Sequence, residues 1–251
     1  MQRDFCHGLL TLAWLLPVAA VATLEAAEPS VATYTARYQV EYKGRNVGTA
    51  QFAVSYDDLS GIYSFSSRTR ARGLLRLVTP RDVVERSNFI VEDGRITPLE
   101  FWYEDGSRKG KDNFHLVFDW DAGFVAVDGA NGGVALQLSP GVLDRGAMQV
   151  ALMRDIETNG HPGPYTLADE NELRTYSFVM QEDDEISTPT GTFTARRFLE
   201  QRDGSSRTTL VWVAPELRYL PVAIEQYRDG ELRARLTLQS VEGLESREGP
   251  E

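Results

Sequence analysis

The stretch Tyr34-Thr-Ala-Arg-Tyr-Gln-Val-Glu-Tyr42, Lys43-Gly-Arg-Asn46, Val47-Gly-Thr-Ala-Gln-Phe-Ala-Val-Ser-Tyr56 reads as two strands joined by a turn. In its second half Gly48, Ala50, Phe52, Val54 and Tyr56 fall on one side, and Thr49, Gln51 and Ser55 on the other. That is the period of a sheet with one buried face. Five Asp-Gly pairs recur along the chain, at Asp93-Gly94, Asp105-Gly106, Asp128-Gly129, Asp203-Gly204 and Asp229-Gly230, most of them between runs with the same alternation. Glycine takes positive φ without a Cβ clash and aspartate tolerates the left-handed region, so the pair suits two-residue hairpin turns.

Working outward, further strands are expected at 62–72, 82–91, 96–104, 112–120, 124–127 and 134–138, and again at 175–182, 193–201, 208–214, 220–228 and 231–241. Between the two sets the pattern changes. Ser139-Pro140 can cap a helix, residues 143–157 have helical composition, and Asn159-Gly160 is a stop. The middle of that segment, Ala147-Met-Gln-Val-Ala-Leu-Met153, is apolar nearly all round, which predicts burial against the sheet. About a dozen strands do not stay flat. The expected fold is therefore mainly β: a curved antiparallel sheet, an open or half-closed barrel, with one main helix packed against it. Closed barrels and two-sheet sandwiches stand beside it, because alternation reports the buried face and not how edges pair. Residues 73–80 are expected to form a short apolar turn, and the acidic run Glu182-Asp-Asp-Glu185 a solvated one.

The chain starts with Arg3 and His7 ahead of an apolar stretch over 8–21, too short to span a bilayer, with small residues at Ala20, Ala22, Ala26 and Ala27. It reads as a signal peptide, 1–27, cleaved within 22–27, followed by a single β-rich domain at 28–243 and a disordered tail at 244–251. Cys6, the one cysteine, lies inside that leader without a lipobox, so the remainder needs an ordinary core rather than disulfides. With 37 acidic against 26 basic residues, the formal charge of −11 opposes binding to nucleic acid or to an anionic membrane surface. No later run is long enough to span a membrane.

Catalytic signatures are missing from the sequence. After the leader the histidines are His115 and His161, with no nucleophile-elbow motif, no zinc-ligand spacing and no phosphate loop. Carboxylates gather at Asp57-Asp58, at Asp119 and Asp121, and over 182–185, but none follows the calcium-loop spacing. No cofactor is expected. The arginine stripe Arg68, Arg70, Arg72 and the shorter Arg233, Arg235 follow strand period two and read as outward residues that keep strand edges soluble.

The segments Ser187-Thr-Pro-Thr-Gly-Thr-Phe-Thr-Ala-Arg196, Thr208-Thr-Leu-Val-Trp-Val-Ala-Pro215 and Tyr219-Leu-Pro-Val-Ala-Ile-Glu225, with the helix that carries Asp144 and Arg154, resemble the DUF3108 family of exported bacterial proteins. The likeness extends over about 34–241. It implies a periplasmic β protein of a Gram-negative bacterium, akin in shape to half-barrel carriers of lipids and lipoproteins, and it brings no reaction with it. Within that pattern Gly191 suits a positive-φ turn, Pro189 a strand entry, and Trp212 a core aromatic on a strand covered on both sides.

The expected function is non-enzymatic: a periplasmic protein of the cell envelope that holds an apolar or amphiphilic, lipid-like molecule between sheet and helix. A protein-interaction or structural module of the envelope without a ligand is the alternative, and an unrecognised hydrolase a second one. The residues picked out for a groove are Phe101, Trp102, Tyr103, Phe118 and Trp212, each also suited to filling a core. Asp144 and Arg154 are picked out for fixing the helix on the sheet or touching a ligand.

Overall fold

The computed structural model describes residues 31–129, 133–202 and 204–244. The expected signal peptide with Cys6, and residues 245–251 of the expected tail, lie outside the described residues.

The quoted hairpin forms as β1 (Tyr34–Tyr42) and β2 (Arg45–Asp57). Its turn is shorter than the sequence suggested. Lys43 and Gly44 alone reverse the chain, both at positive φ (50° and 73°), and a bulge between Val40 and Glu41 absorbs the difference in register. Asp93-Gly94 and Asp229-Gly230 make the same kind of turn, again with positive φ at both positions. Asp105 instead opens a longer loop, in which its carboxylate accepts from the Ser107 N–H (2.8 Å) and the Ser107 hydroxyl (2.9 Å). Asp128-Gly129 ends a strand, and Asp203 lies outside the described residues.

From that hairpin the chain meanders through β3 (Ile62–Ala71), β4 (Val83–Glu92), β5 (Arg95–Glu104), β6 (Phe114–Asp119), β7 (Phe124–Gly129) and β8 (Val134–Gln137), each paired antiparallel with the one before. The connection from β3 to β4 carries one helical turn, α1 (Leu75–Val78), where a bend was expected. The second half comprises β9 (Val142–Leu143), α2 (Arg145–Asn159), β10 (Tyr165–Asp169), β11 (Glu172–Met180), β12 (Asp184–Thr188), β13 (Gly191–Arg202), β14 (Arg207–Ala214), β15 (Leu220–Arg228) and β16 (Glu231–Glu242). The strand order is β8-β7-β6-β5-β4-β3-β2-β1-β16-β15-β14-β13-β11-β10-β9, with β12 beside β13. The two halves thus meet where β16 pairs with β1. The end strands β8 and β9 do not pair with each other, so the curved sheet is unclosed. All pairs are antiparallel except β9 with β10, and a parallel pair needs a crossover. Here the crossover is α2.

Three strands escaped the sequence pattern. β9 and β10 are two and five residues long and buried on both faces, so no alternation marks them. β12 takes up Asp184 and Glu185, placed in a solvated turn from sequence. Residues 181–183 are a break in one long arm, because β11 and β12 line successive parts of the same edge of β13. The reversal falls at Pro189-Thr190, so Pro189 is a turn residue rather than a strand entry, and Gly191 follows at φ 144°.

The helix is capped differently from the sequence reading. Ser139-Pro140 plays no part; Asp144 is the N-cap, its Oδ1 accepting from the Ala147 N–H at 2.8 Å, and Gly160 in the left-handed region closes the end. Ala147, Val150, Ala151, Leu152, Met153 and Ile156 are buried with Tyr34, Tyr38, Phe65, Phe89 and Trp212 in the main core. Each large apolar side chain among them contributes about 1.5–3 kcal/mol of burial. Gly146 lets the helix sit this close: a Cβ there would lie 2.6 Å from Ser87 Cβ on β4. A second, smaller core holds Phe101, Phe114, Leu116, Phe118, Val125 and Val127 with Val142 and Ala168 from β9 and β10.

Candidate functional site

α2 does not fill the concave face. Beside it lies a cavity of about 1060 Å³ walled by the lumenal residues of β1–β4, β10, β11 and β13–β16 and by Arg145, Met148 and Gln149 of the helix. Its deep wall is apolar: Val40, Phe52, Phe65, Met148, Leu167 and Leu236.

Three adjacent strands show the same gradient along this wall, read by period two from inside to mouth. On β13 it runs Phe198, Glu200, Arg202; on β14 Val211, Thr209, Arg207; on β15 Ile224, Gln226, Arg228. All of these except Phe198 line the cavity. Arg207 and Arg228 are direct register partners across β14 and β15. Gln201 faces Thr208 across β13 and β14, which sets Arg202 beside Arg207. The row therefore presents three arginines on neighbouring strands. Among the described residues neither Arg202 nor Arg207 has an ion-pair partner, and the contact of Arg228 with Asp229 is a loose, exposed one at 3.9 Å.

The helix end of the cavity carries a second charged set. Arg145, the first residue of α2, bonds Asp169 of β10 and reaches Glu85 of β4 at 3.4 Å. Its guanidinium also lies over the rings of Tyr103 (5.3 Å) and Phe114 (5.5 Å). Asp169 is shared with Arg174, 2.8 Å away. This network is internally neutralised, in contrast to the row at the mouth. Burial pushes the Glu85 carboxyl above its ordinary value, with Arg145 opposing the shift. Burial likewise pushes Glu200 up to about 7, against the bond it accepts from Thr209.

None of the seven residues picked out from sequence lines this cavity. Phe101 and Phe118 belong to the second core, with Tyr103 packed half-buried against it. Trp102 lies on the opposite face of β5, stacked on His115 at 4.9 Å with Arg86 over its ring. Trp212 is buried in the main core between Val211 and Val213, also buried, so that β14 is covered on both faces. Asp144 is fully buried and accepts from the Ser87 hydroxyl at 2.8 Å; burial raises its carboxyl to about 7. Arg154 donates to the Gly94 carbonyl in the turn between β4 and β5. At the helix's far end Arg218 grips Glu157 through two bonds of 3.2 Å, and Arg196 reaches the Gly160 carbonyl.

The acidic pairs noted in the sequence cap turns: Asp57 accepts from the Leu59 N–H and the Ser60 hydroxyl, and Asp119 from the Ala122 N–H. Among the described residues no three His, Cys, Asp or Glu side chains group as metal ligands, and no helix is long and apolar enough to cross a membrane.

The sequence profile of a family described as a protein of unknown function (DUF3108) matches residues 37–237. The chain belongs to that family. Solved structures similar to this DUF3108 member include a beta-barrel-like protein of the domain of unknown function DUF1849 from Brucella abortus, at 11% identity, TM-score 0.49, covering 86% of this chain and 99% of that one. A protein described as a candidate lipoprotein from Parabacteroides distasonis is 10% identical over 85% and 96% of the two chains, TM-score 0.35. A candidate exported protein with a YmcC-like fold from Bacteroides fragilis is 12% identical over 83% and 95%, TM-score 0.35. Likenesses of this kind carry no function. No curated protein matches the chain.

Proposed function

We propose that this DUF3108 member is a non-enzymatic periplasmic protein that holds an amphiphilic molecule in the lumen beside α2, apolar tail inward and anionic group at the mouth. The observation that carries the reading is the triple gradient from apolar side chain to arginine on β13, β14 and β15. Like charges directly opposite each other weaken a strand pair, so the row Arg202, Arg207 and Arg228, answered only by the loose contact of Arg228 with Asp229, opposes folding unless an anion bridges it. Guanidinium forks suit carboxylate or phosphate oxygens, and the cavity volume lies at the upper end of the ~300–1,000 Å³ of small-molecule sites. The exported location rests on the leader-like residues 1–27.

Calorimetric titration with palmitoyl lysophosphatidate, against monopalmitoylglycerol with the same tail and a neutral head, tests this reading. The wild-type chain binds the phosphate form more tightly, and R207Q/R228Q lowers that affinity by about tenfold per arginine while leaving the neutral form unaffected. Without ligand the same double variant melts higher than wild type, because a repulsive pair is gone. A chain that binds neither molecule refutes the lumen as a site.

A further inference from the structure

At the mouth end of the sheet the connection from β3 to β4 projects an apolar tip. Leu74 is 82% exposed, Leu77 72% and Val78 73%, and none of the residues of α1 is buried. Exposed apolar side chains scattered singly are ordinary; three on one turn with no core to cover them are not. The tip is also basic. Residues 68–82 contain five arginines, Arg68, Arg70, Arg72, Arg76 and Arg81, against one acid, Asp82. Asp82 answers Arg70 at 3.0 Å, Arg68 at 3.4 Å and Arg76 at 3.9 Å; among the described residues Arg72 and Arg81 have no ion-pair partner.

The Arg81 N–H bonds the Gly106 carbonyl, tying the tip to a loop in which Arg108, Lys109 and Lys111 stand among Glu104, Asp105 and Asp112, and the Arg72 N–H bonds the Val47 carbonyl, near the Lys43-Gly44 turn. The lumen opens at this end, because Tyr42, Thr69 and the Arg202, Arg207, Arg228 row line its mouth. The net charge of −11 had argued against an anionic membrane surface, but a net charge is an average, and here the local sign is reversed.

We infer that residues 73–78 form a docking tip for an anionic lipid bilayer: Leu74, Leu77 and Val78 enter the headgroup boundary, Arg72 and Arg81 stay among the lipid phosphates, and the lumen mouth faces the lipid. Apolar side chains flanked by arginine are what an interfacial anchor requires, since burial supplies the attachment and the basic residues the preference for anionic lipid. A protein partner would satisfy the leucines equally well, but it would also have to bring acids to Arg72 and Arg81, which an anionic bilayer presents at every point of its surface. The inference adds a second binding function to the proposed lumen site and rests only on its lying at the same end.

Co-sedimentation of the full-length chain with vesicles of phosphatidylcholine containing phosphatidylglycerol, against phosphatidylcholine alone, tests it. Residues 1–30 are common to every variant, so differences between variants report the tip. The wild-type chain pellets with the anionic vesicles and is released by salt. L74S/L77S weakens binding by about tenfold per leucine, and R72Q/R81Q by about fivefold per arginine and only on anionic vesicles. Because these side chains are exposed, the melting temperature of L74S/L77S stays at the wild-type value. Neither variant touches the lumen, so titration with palmitoyl lysophosphatidate reads the same in both as in wild type, which separates failure of the tip from failure of the cavity. Equal pelleting of wild type and L74S/L77S overturns the inference, as does equal binding to neutral and anionic vesicles. So does a dimer in solution that L74S/L77S converts to monomer, which would make the tip a contact between copies.

Discussion

Replacing Asp144 by asparagine isolates the electrostatic consequence of burying a carboxyl at the start of α2. Asp144 is fully buried, and its carboxyl is raised from the ordinary 3.8 to about 7, mainly because burial disfavours the anion, against the Ala147 N–H and Ser87 hydroxyl that bond it. With the folded value above the unfolded one, folding takes up a proton between those two values. The stability that this carboxyl permits is complete below pH 3.8 and is lost as pH rises through about 7. At about 1.36 kcal/mol per pH unit the loss comes to about 4 kcal/mol, an order-of-magnitude figure. Asparagine is as good an N-cap as aspartate; its Oδ1 still accepts from Ala147, and its Nδ2 donates to the Ser87 hydroxyl in place of the bond it loses. Urea unfolding of both proteins at about pH 4 and about pH 8 reads the difference, with a common m-value confirming that one transition is compared. The Asp144→Asn variant gains about 4 kcal/mol over wild type on going from the lower to the higher pH. Parallel stability curves would show that the carboxyl is not held neutral in the fold, and the burial argument would fall.

Gly48→Ala destabilises by about 3 kcal/mol in the same unfolding assay, since its Cβ would lie 2.2 Å from the Arg70 carbonyl oxygen of β3, a backbone atom that cannot step aside; a loss within about 0.5 kcal/mol, the range of neutral surface changes, means that β2 and β3 are not so close. Glu200→Gln gains stability relative to wild type as pH rises through about 7, because burial raises that carboxyl in the same direction, and a gain confined to acid pH contradicts its position on the lumen wall.

Much of the architecture was readable because its elements report on themselves. The strand at 220–228 was expected with the bounds it has, and Ala147 to Met153 announced a buried helix by being apolar on every side. The parts that were missed depend on partners remote in sequence. β9 and β10 are too short and too fully buried to alternate, and the cap at Asp144 went unread because Ser139-Pro140 a few residues earlier offers a helix start of its own. The cavity was hidden for the same reason. Arg202, Arg207 and Arg228 look like three surface residues until registers across β13, β14 and β15 set them side by side. A local trace does exist: each ends a lumenal face that begins apolar and turns polar one step earlier. The aromatic cluster Phe101 to Tyr103 drew attention by density alone, and density reports core filling as readily as a groove.

Because Glu231–Glu242 seats between the first strand and its own hairpin partner, the earliest residues of the sheet acquire their second neighbour from the last. Until that segment emerges, the sheet consists of two blades whose facing strands do not pair, each with a raw margin of unpaired amides and carbonyls. Closure of the strand order is thereby postponed to the completion of the chain, and in a nascent molecule stopped short of Glu231 the two halves of the lumen meet only through α2 and the second core.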